Sequence, residues 1–437
     1  MIKKIDLGKT NLSDLHEVFK LSSADELDNK KARLFPSGNT DTEVPTTSIF
    51  LASLCAVKEY REELLMTLGI SKIKTRNVNL YAYTEIENSS KEHRPDGLLV
   101  ITSGKHNPVI EWVAFIEAKV GNSFIREEQI ARYIEFGKEI GVNCIISISN
   151  EMVTSPTDSP VSTKKRSFNL NHWSWKYLSV TAKKLIRDDA VKDEDHIYIL
   201  HELRRYIEHH KNLRSHNHMG SEWKSSVLKI HPYEPKDKID QATLNSIVAS
   251  FKQEEKDISL ELTDTSDYLV ELQAKEDRSP AIEKMLQEKK VITTHLIINK
   301  DRANQFSIET DFIRQEIRCT TNISISKGKA QAQTTALLRM LDNTGVGTSD
   351  DICIKAVYIR NKSVLTEVTL SQLLNERDSG EPYSILDKKL GDEVKTFEIR
   401  TKDLLGRDFI GPQSFIVKIE KIAHLFLQQV MSSLINH

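Results

Sequence analysis

Between residues 48 and 69 apolar side chains recur every three or four positions, at Ile49, Leu51, Leu54, Val57, Leu64 and Leu68. That spacing lays one apolar stripe along a helix; Pro45 and Thr46–Thr47 introduce it and Gly69 stops it. The pattern then changes period. Residues 77–87 (NVNLYAYTEIE) alternate, 97–102 (GLLVIT) form a short apolar run, and Gly104 to Pro108 read as a turn. Residues 109–120 (VIEWVAFIEAKV) are apolar on both faces, the signature of a central strand. Helical spacing returns from about Ser123 to Glu139, closed by Gly141, and 142–149 (VNCIISIS) read as another buried strand. The expected order is helix, three strands, helix, strand, followed by helices near 173–188 and 193–212. Residues 1–45 are polar apart from Leu12 to Leu21 and read as an N-terminal appendage.

The second half has a different texture. Alternation suggests strands at 258–274, 291–299, 304–310, 315–325, 352–359 and 413–419, with helices at 239–254, 328–342 and 420–435. This predicts an α+β domain of antiparallel hairpins over 223–437. The polar segment 213–222 separates it, as a linker, from an α/β domain over 46–212.

Composition narrows the partners. With 61 basic against 63 acidic residues the chain has a net charge of −2, so any basic surface must be local. No apolar run approaches the roughly 18 residues that a membrane span needs, and MIKKIDLGKT lacks the apolar centre of a signal peptide. Cys55, Cys144, Cys319 and Cys353 lie far apart and are expected to be reduced thiols in a cytoplasmic protein.

Chemistry concentrates between Arg94 and Tyr133. Asp96 opens one apolar strand; Glu117 and Lys119 sit two apart near the end of the next, hence on one face. A hairpin through 104–108 would bring Asp96 to the Glu117–Lys119 end. The two carboxylates and the Ala118 carbonyl then supply hard oxygen ligands, suited to Mg²⁺ or Mn²⁺, with Lys119 placed to orient a water and stabilise charge on phosphorus. Gln129 and Tyr133, four apart, share one helix face and can reach the lysine or a substrate phosphate.

Taken together, Pro95–Asp96, Glu117–Ala118–Lys119 and Gln129-Ile-Ala-Arg-Tyr133 resemble the PD-(D/E)XK nuclease superfamily in its RecB-like form with a QxxxY motif, over roughly residues 46–210. The resemblance implies a restriction-endonuclease-like αβββαβ core with a mixed sheet. It also implies a metal-dependent hydrolase of phosphodiester bonds, with DNA as the expected substrate and defence or restriction as the expected setting. Asp96, Glu117, Lys119, Gln129 and Tyr133 would be its catalytic residues. The family adds an acid from its first core helix; of Glu59, Glu62 and Glu63 the expected auxiliary metal ligand is Glu63, with Glu85 on the first strand as a further candidate. The competing reading is a catalytically silent module that keeps the fold and grips nucleic acid or protein.

Other features carry less. Lys164, Lys165 and Arg166 end a Ser/Thr/Pro-rich loop and can meet a phosphate backbone. Trp173 and Trp175 read as core. His209, His210, His216 and His218 read as polar linker rather than metal ligands, and Gly345 to Gly347 as a turn without phosphate-loop context. Residues 223–437 hold no catalytic pattern and are the expected place for a protein partner or a second copy of the chain.

Overall fold

A computed structural model describes residues 10–32, 34, 42–86, 94–105, 107–162, 168–213, 216–234, 236–325, 328–342, 351–358, 367–387 and 394–435. The chain forms two compact units, Met1–His216 and Asn217–His437. Both are mixed α/β.

The first unit is built on a five-stranded sheet in the order β1 (Val78–Thr84), β2 (Gly97–Ser103), β3 (Val109–Ala118), β4 (Cys144–Ser149), β5 (Asn169–Ser174). Strands β1 to β3 run antiparallel, whereas β3, β4 and β5 are parallel. Its helices are α1 (Leu15–Val18), α2 (Ala24–Asn29), α3 (Glu43–Ala56), α4 (Lys58–Thr67), α5 (Glu127–Ile140), α6 (Trp175–Arg187) and α7 (Glu194–His209). The last six residues of β3 are all buried. Ile116 and Ala118 join one core with Leu51, Leu54 and Trp173, while Phe115 joins the other with Ile130 and Ile134 of α5. Helix α5 lies close to the sheet because Gly137 permits it. A Cβ there would stand 2.6 Å from the Val142 carbonyl oxygen and 2.7 Å from the Phe168 ring. Gly141, with φ at +85°, ends the helix in the left-handed conformation that glycine adopts without strain.

Three readings of this unit change. The single helix expected from 48 to 69 is two, broken at Val57, whose extended backbone turns the chain between α3 and α4. A fifth strand, β5, continues the parallel side; its sequence NLNHWS carries too few apolar residues to announce itself. The described residues of the segment read as an appendage are packed in place. Leu15, Phe19 and Leu27 are buried in the core on the α5 side, and Lys31 pairs with Tyr83 along β1. That pairing covers backbone groups which an edge strand would leave open.

The second unit is a seven-stranded antiparallel sheet in the order β11 (Glu367–Thr369), β10 (Ile352–Tyr358), β12 (Val394–Leu404), β9 (Glu316–Ile323), β8 (Asp301–Asp311), β7 (Val291–Ile298), β6 (Val270–Leu272). It carries α8 (Trp223–Ile230), α9 (Gln241–Thr265), α10 (Ser279–Lys289), α11 (Ala330–Asp342), α12 (Leu370–Ser379), α13 (Arg407–Ile410) and α14 (Pro412–Phe426). Two expected strands are helical, 413–419 throughout and 258–274 up to Thr265, with only Val270–Leu272 of the latter in a strand, β6. ISLEL alternates, but Ile258 and Leu262 also continue the three-to-four spacing of Leu244, Ile247 and Phe251. The α9 helix, capped by Asp240 accepting the Thr243 N–H, therefore runs on to Thr265. Residues 413–419 likewise belong to α14, where Phe415, Ile416, Ile419, Ile422, Ala423 and Phe426 form the buried face. The Gly345–Gly347 turn lies outside the described residues.

Candidate active site

The register of the β2–β3 hairpin decides what meets. Gly97 stands opposite Ile116, so Asp96, one residue before the pairing begins, lies beside the Glu117 end of β3. Its Oδ2 accepts the Ala118 N–H at 2.9 Å. Glu117 is fully buried and is the hub of a closed network. Its Oε1 accepts from the Lys119 ammonium and from Gln129 Nε2 at 2.5 Å; its Oε2 accepts the Tyr133 hydroxyl at 2.8 Å. Gln129 also donates to the Tyr133 oxygen at 3.0 Å. Two carboxylates, one ammonium, an amide and a phenol from β2, β3 and α5 thus converge, as the spacing in the chain predicts.

The same ammonium shows what the spacing missed. Lys119 Nζ lies 3.3 Å from Glu43 Oε2 and 3.1 Å from the Ala118 carbonyl oxygen. Glu43 opens α3, the first long helix of the chain, and stands beside Lys119 where Glu63 was expected. Glu63 instead pairs with Lys184 at 2.8 Å, Glu59 with His196 at 2.9 Å and Glu62 with Lys58 at 3.8 Å, all from α4; Glu85 pairs with Arg94. None of these four acids contacts Asp96, Glu117 or Lys119 through those pairings. The misplacement has a simple cause. The helix was started after Pro45, yet proline is tolerated throughout a first turn, where the N–H groups lack partners anyway. An acid two residues ahead of that proline, in Glu43-Val-Pro45, was the available signal.

Charge follows from burial. Desolvation, then the Glu117 carboxylate, push Asp96 well above the ordinary carboxylate range, to about 8, against the pull of the Ala118 N–H and Lys119. Burial also raises Glu117, with Lys119 and Tyr133 opposing. For Lys119, burial works against the charge, but Glu117, Asp96 and Glu43 outweigh it and hold the amine above its usual value. Lys119 is therefore a cation here, suited to stabilising negative charge rather than to taking a proton. Tyr133 is pushed up by burial and then by Glu117, and stays a phenol donor.

Among the described residues no three His, Cys, Asp or Glu side chains are grouped so as to hold a metal ion. The ammonium itself tests the fit. It is a cation whose neighbours are two carboxylate oxygens and a backbone carbonyl, the hard oxygen donors that a divalent ion of the Mg²⁺ class selects. In donor type, though not in their grouping here, these oxygens suit such an ion.

Supporting contacts fix the strand ends. The Trp175 indole N–H donates to the Lys119 carbonyl at 2.9 Å, and the Lys119 N–H donates to the Ile148 carbonyl at 2.7 Å. Trp173 and Trp175 are both buried, edge-on to Phe50 at 6.0 and 6.1 Å between ring centres. Trp175 therefore packs the core as its sequence suggests, and its polar atom also holds the backbone just past β3. Lys164, Lys165 and Arg166 lie outside the described residues. His209 and His210 engage backbone: His209 faces the Arg205 carbonyl, and His210 accepts the Asn212 N–H. All four cysteines are free.

A neutral histidine sits two strands away, on β5. Ser147, opposite Glu117 in β4, lies 2.8 Å from His172 Nδ1, and His172 Nε2 lies 2.9 Å from the Glu151 carbonyl. Both side chains are buried, and burial lowers the imidazole from 6.5 to about 4. The folded protein therefore holds fewer protons here than the unfolded chain. This contribution to stability is complete above the unfolded value and is lost as pH falls through 6.5 toward 4, by about 3 kcal/mol in all. Urea denaturation between pH 7 and 4 should show that slope in the wild type and a shallower one in His172→Gln; parallel curves would remove the assignment.

No family model, curated protein or solved structure matches this chain. Among the described residues no helix is long and apolar enough to cross a membrane.

Proposed function

We propose that the first unit is a metal-dependent nuclease with a restriction-endonuclease-like core of the PD-(D/E)XK, RecB-like type, acting in the cytoplasm on phosphodiester bonds, with DNA as substrate and defence or restriction as its setting. One observation carries the reading: Asp96, Glu117, Lys119, Gln129 and Tyr133, scattered over three elements, close into one network, and Glu43 joins it from α3. Charged groups are expensive to bury without a task, and this cluster closes the end of an otherwise apolar strand.

Asp96, Glu117, Glu43 and the Ala118 carbonyl are the groups that would hold Mg²⁺ or Mn²⁺. When bound, such an ion supplies Lewis-acid stabilisation of the phosphate and a more acidic water. The chain's own residues do the rest. Lys119 places a positive charge against the oxygens that gain charge on phosphorus. Gln129 and Tyr133 satisfy both oxygens of Glu117, so the carboxylate cannot turn away from the strand end. Trp175 and Ile148 hold the Lys119 backbone so that its side chain enters from one direction.

The test is Mg²⁺-dependent cleavage of plasmid and of an oligonucleotide. Wild type is expected to cut, Asp96→Ala to lose cutting by a factor of about 10² to 10³, and Glu63→Ala to cut as the wild type does, because its ion pair with Lys184 joins α4 to α6. Equal cleavage by wild type and Asp96→Ala would remove the assignment of the site, and cleavage by neither would leave the chain as a silent binding module on the same fold.

A further inference from the structure

The ten residues joining β3 to Gln129 form a closed loop. Lys119 at one end and Gln129 at the other both donate to Glu117 Oε1. Between them the chain is pinned from inside. The Gly121 N–H donates to the Asn212 carbonyl at 2.7 Å, and Asn150 Nδ2 donates to the Gly121 carbonyl at 2.9 Å. The Ile125 N–H donates to Glu151 Oε2 at 3.1 Å, and the Ile125 side chain is buried. Asn150 and Glu151 follow β4 directly, so the loop crosses the C-terminal ends of β3 and β4, where Glu117 and Lys119 emerge.

Phe124 is the midpoint of that loop, five residues from Lys119 and five from Gln129, and it is 63% exposed. A tethered loop with a buried neighbour on one side had the means to turn the ring inward, yet the ring stands out. Arg126 is exposed as well, so the order Phe124, Ile125, Arg126 is out, in, out, and an aromatic face and a guanidinium share the outer side. The other large apolar side chains of this unit that are most exposed, Met66, Val109 and Tyr198, belong to α4, the start of β3 and α7, away from this loop.

We infer that Phe124 is a stacking platform for an unpaired base, with Arg126 beside it for the adjoining phosphate, and that the substrate is therefore a nucleic-acid strand with an unstacked nucleotide near the bond to be cut: single-stranded DNA or a frayed end rather than intact duplex. The inference rests on the nuclease reading. An aromatic side chain next to a cation is the chemistry that holds single strands without regard to sequence, because every base has a π-face. The reach is suitable. Five residues span at most about 18 Å, the axial length of roughly five nucleotides at ~3.4 Å each.

The experiment compares full-length wild type, Phe124→Ala and Phe124→Trp. Binding is measured by fluorescence anisotropy with Ca²⁺ in place of Mg²⁺, on an oligodeoxythymidylate of about 16 nucleotides and on a blunt duplex. Phe124→Ala is expected to weaken single-strand binding roughly tenfold, leave duplex binding unchanged, and recover with tryptophan. Single-strand affinity unchanged in Phe124→Ala, or an equal loss on both probes, overturns the inference. So does a change in sedimentation in place of a change in binding, which would make Phe124 a protein contact. If Mg²⁺-dependent cleavage persists in wild type and is lost in Asp96→Ala while Phe124→Ala binds normally, the platform falls and the nuclease reading stands. If wild type neither binds nor cuts either probe, both fall.

Discussion

Lys119→Met is expected to be inert in cleavage, by a factor of about 10³, and also to be the least stable of the site variants when metal is withheld. The reason lies in the balance of charge. Three carboxylates, Glu43, Asp96 and Glu117, surround one ammonium, whose side chain is only 12% exposed. Removing the cation leaves buried acids facing one another, and breaking a buried pair by deleting one partner costs about 3–5 kcal/mol. Two signatures separate this from loss of packing, since methionine keeps most of the volume. Added Mg²⁺ should raise the melting temperature of Lys119→Met by more than it raises that of wild type, because the divalent ion then meets acids that have no other cation. The variant should also become more stable as pH falls, because Asp96 and Glu117, already raised by burial, relieve their repulsion by protonation. Melting of Lys119→Met in EDTA at the wild-type temperature would show that the ammonium does not hold these acids together.

Arg278→Met is expected to destabilise the second unit by about 3–5 kcal/mol. Arg278 Nε lies 3.1 Å from Glu255 Oε1, its guanidinium also donates to the Thr293 carbonyl at 2.8 Å, and Thr294 donates to Glu255 Oε2 at 3.0 Å. Glu255 sits on α9 and is buried; desolvation raises its pKa, and Arg278 and Thr294 hold it down. Without the arginine the carboxylate keeps the cost of burial and loses most of its return. A double variant, Arg278→Met with Glu255→Met, should recover much of the loss, because two apolar groups carry no desolvation cost. Lys355→Met is the control. Its pair with Glu398 at 3.7 Å spans β10 and β12 on the more exposed side of the sheet and should change stability by no more than about 1 kcal/mol. Hydrogen exchange, read separately on peptides of each unit, localises the effect. Unchanged exchange across α9 and β7 in Arg278→Met would refute it.

The contrast between the two halves shows what residue patterns carry. In the first unit the central strand announced itself because β3 is apolar on both sides and ends in charge, and few other placements satisfy both facts. In the second unit the patterns were ambiguous. Ile258, Leu260 and Leu262 fit an alternating strand, but Ile258 and Leu262 also fit a helix face, and only the packing of α9 along its length chose between them. Strand β12, with Lys395, Glu398, Arg400 and Lys402 among its residues, escaped notice. Its outward positions bear long charged side chains paired across the sheet, as in Glu398 with Lys355 of the neighbouring β10, so the inward apolar set is thin.

Local spacing alone determined that Glu117 and Lys119 leave one strand on the same side and that Gln129 and Tyr133 share one helix face, because the two-residue and four-residue repeats are properties of the backbone. It also determined that a hairpin would return Asp96 to them. Which acid completes the cluster was beyond its reach. Glu43, Glu59, Glu62 and Glu63 all precede the sheet within two consecutive helices, and apart from the place of Glu43 just ahead of Pro45 nothing in their order separates them. The choice was made when Val57 broke the helix in two. Helix α3 then presented its first turn to the end of β3, while α4 carried the other three acids to Lys58, Lys184 and His196. A contact between residues 76 apart in sequence depends on how helix and sheet pack, and packing is settled by the whole core at once.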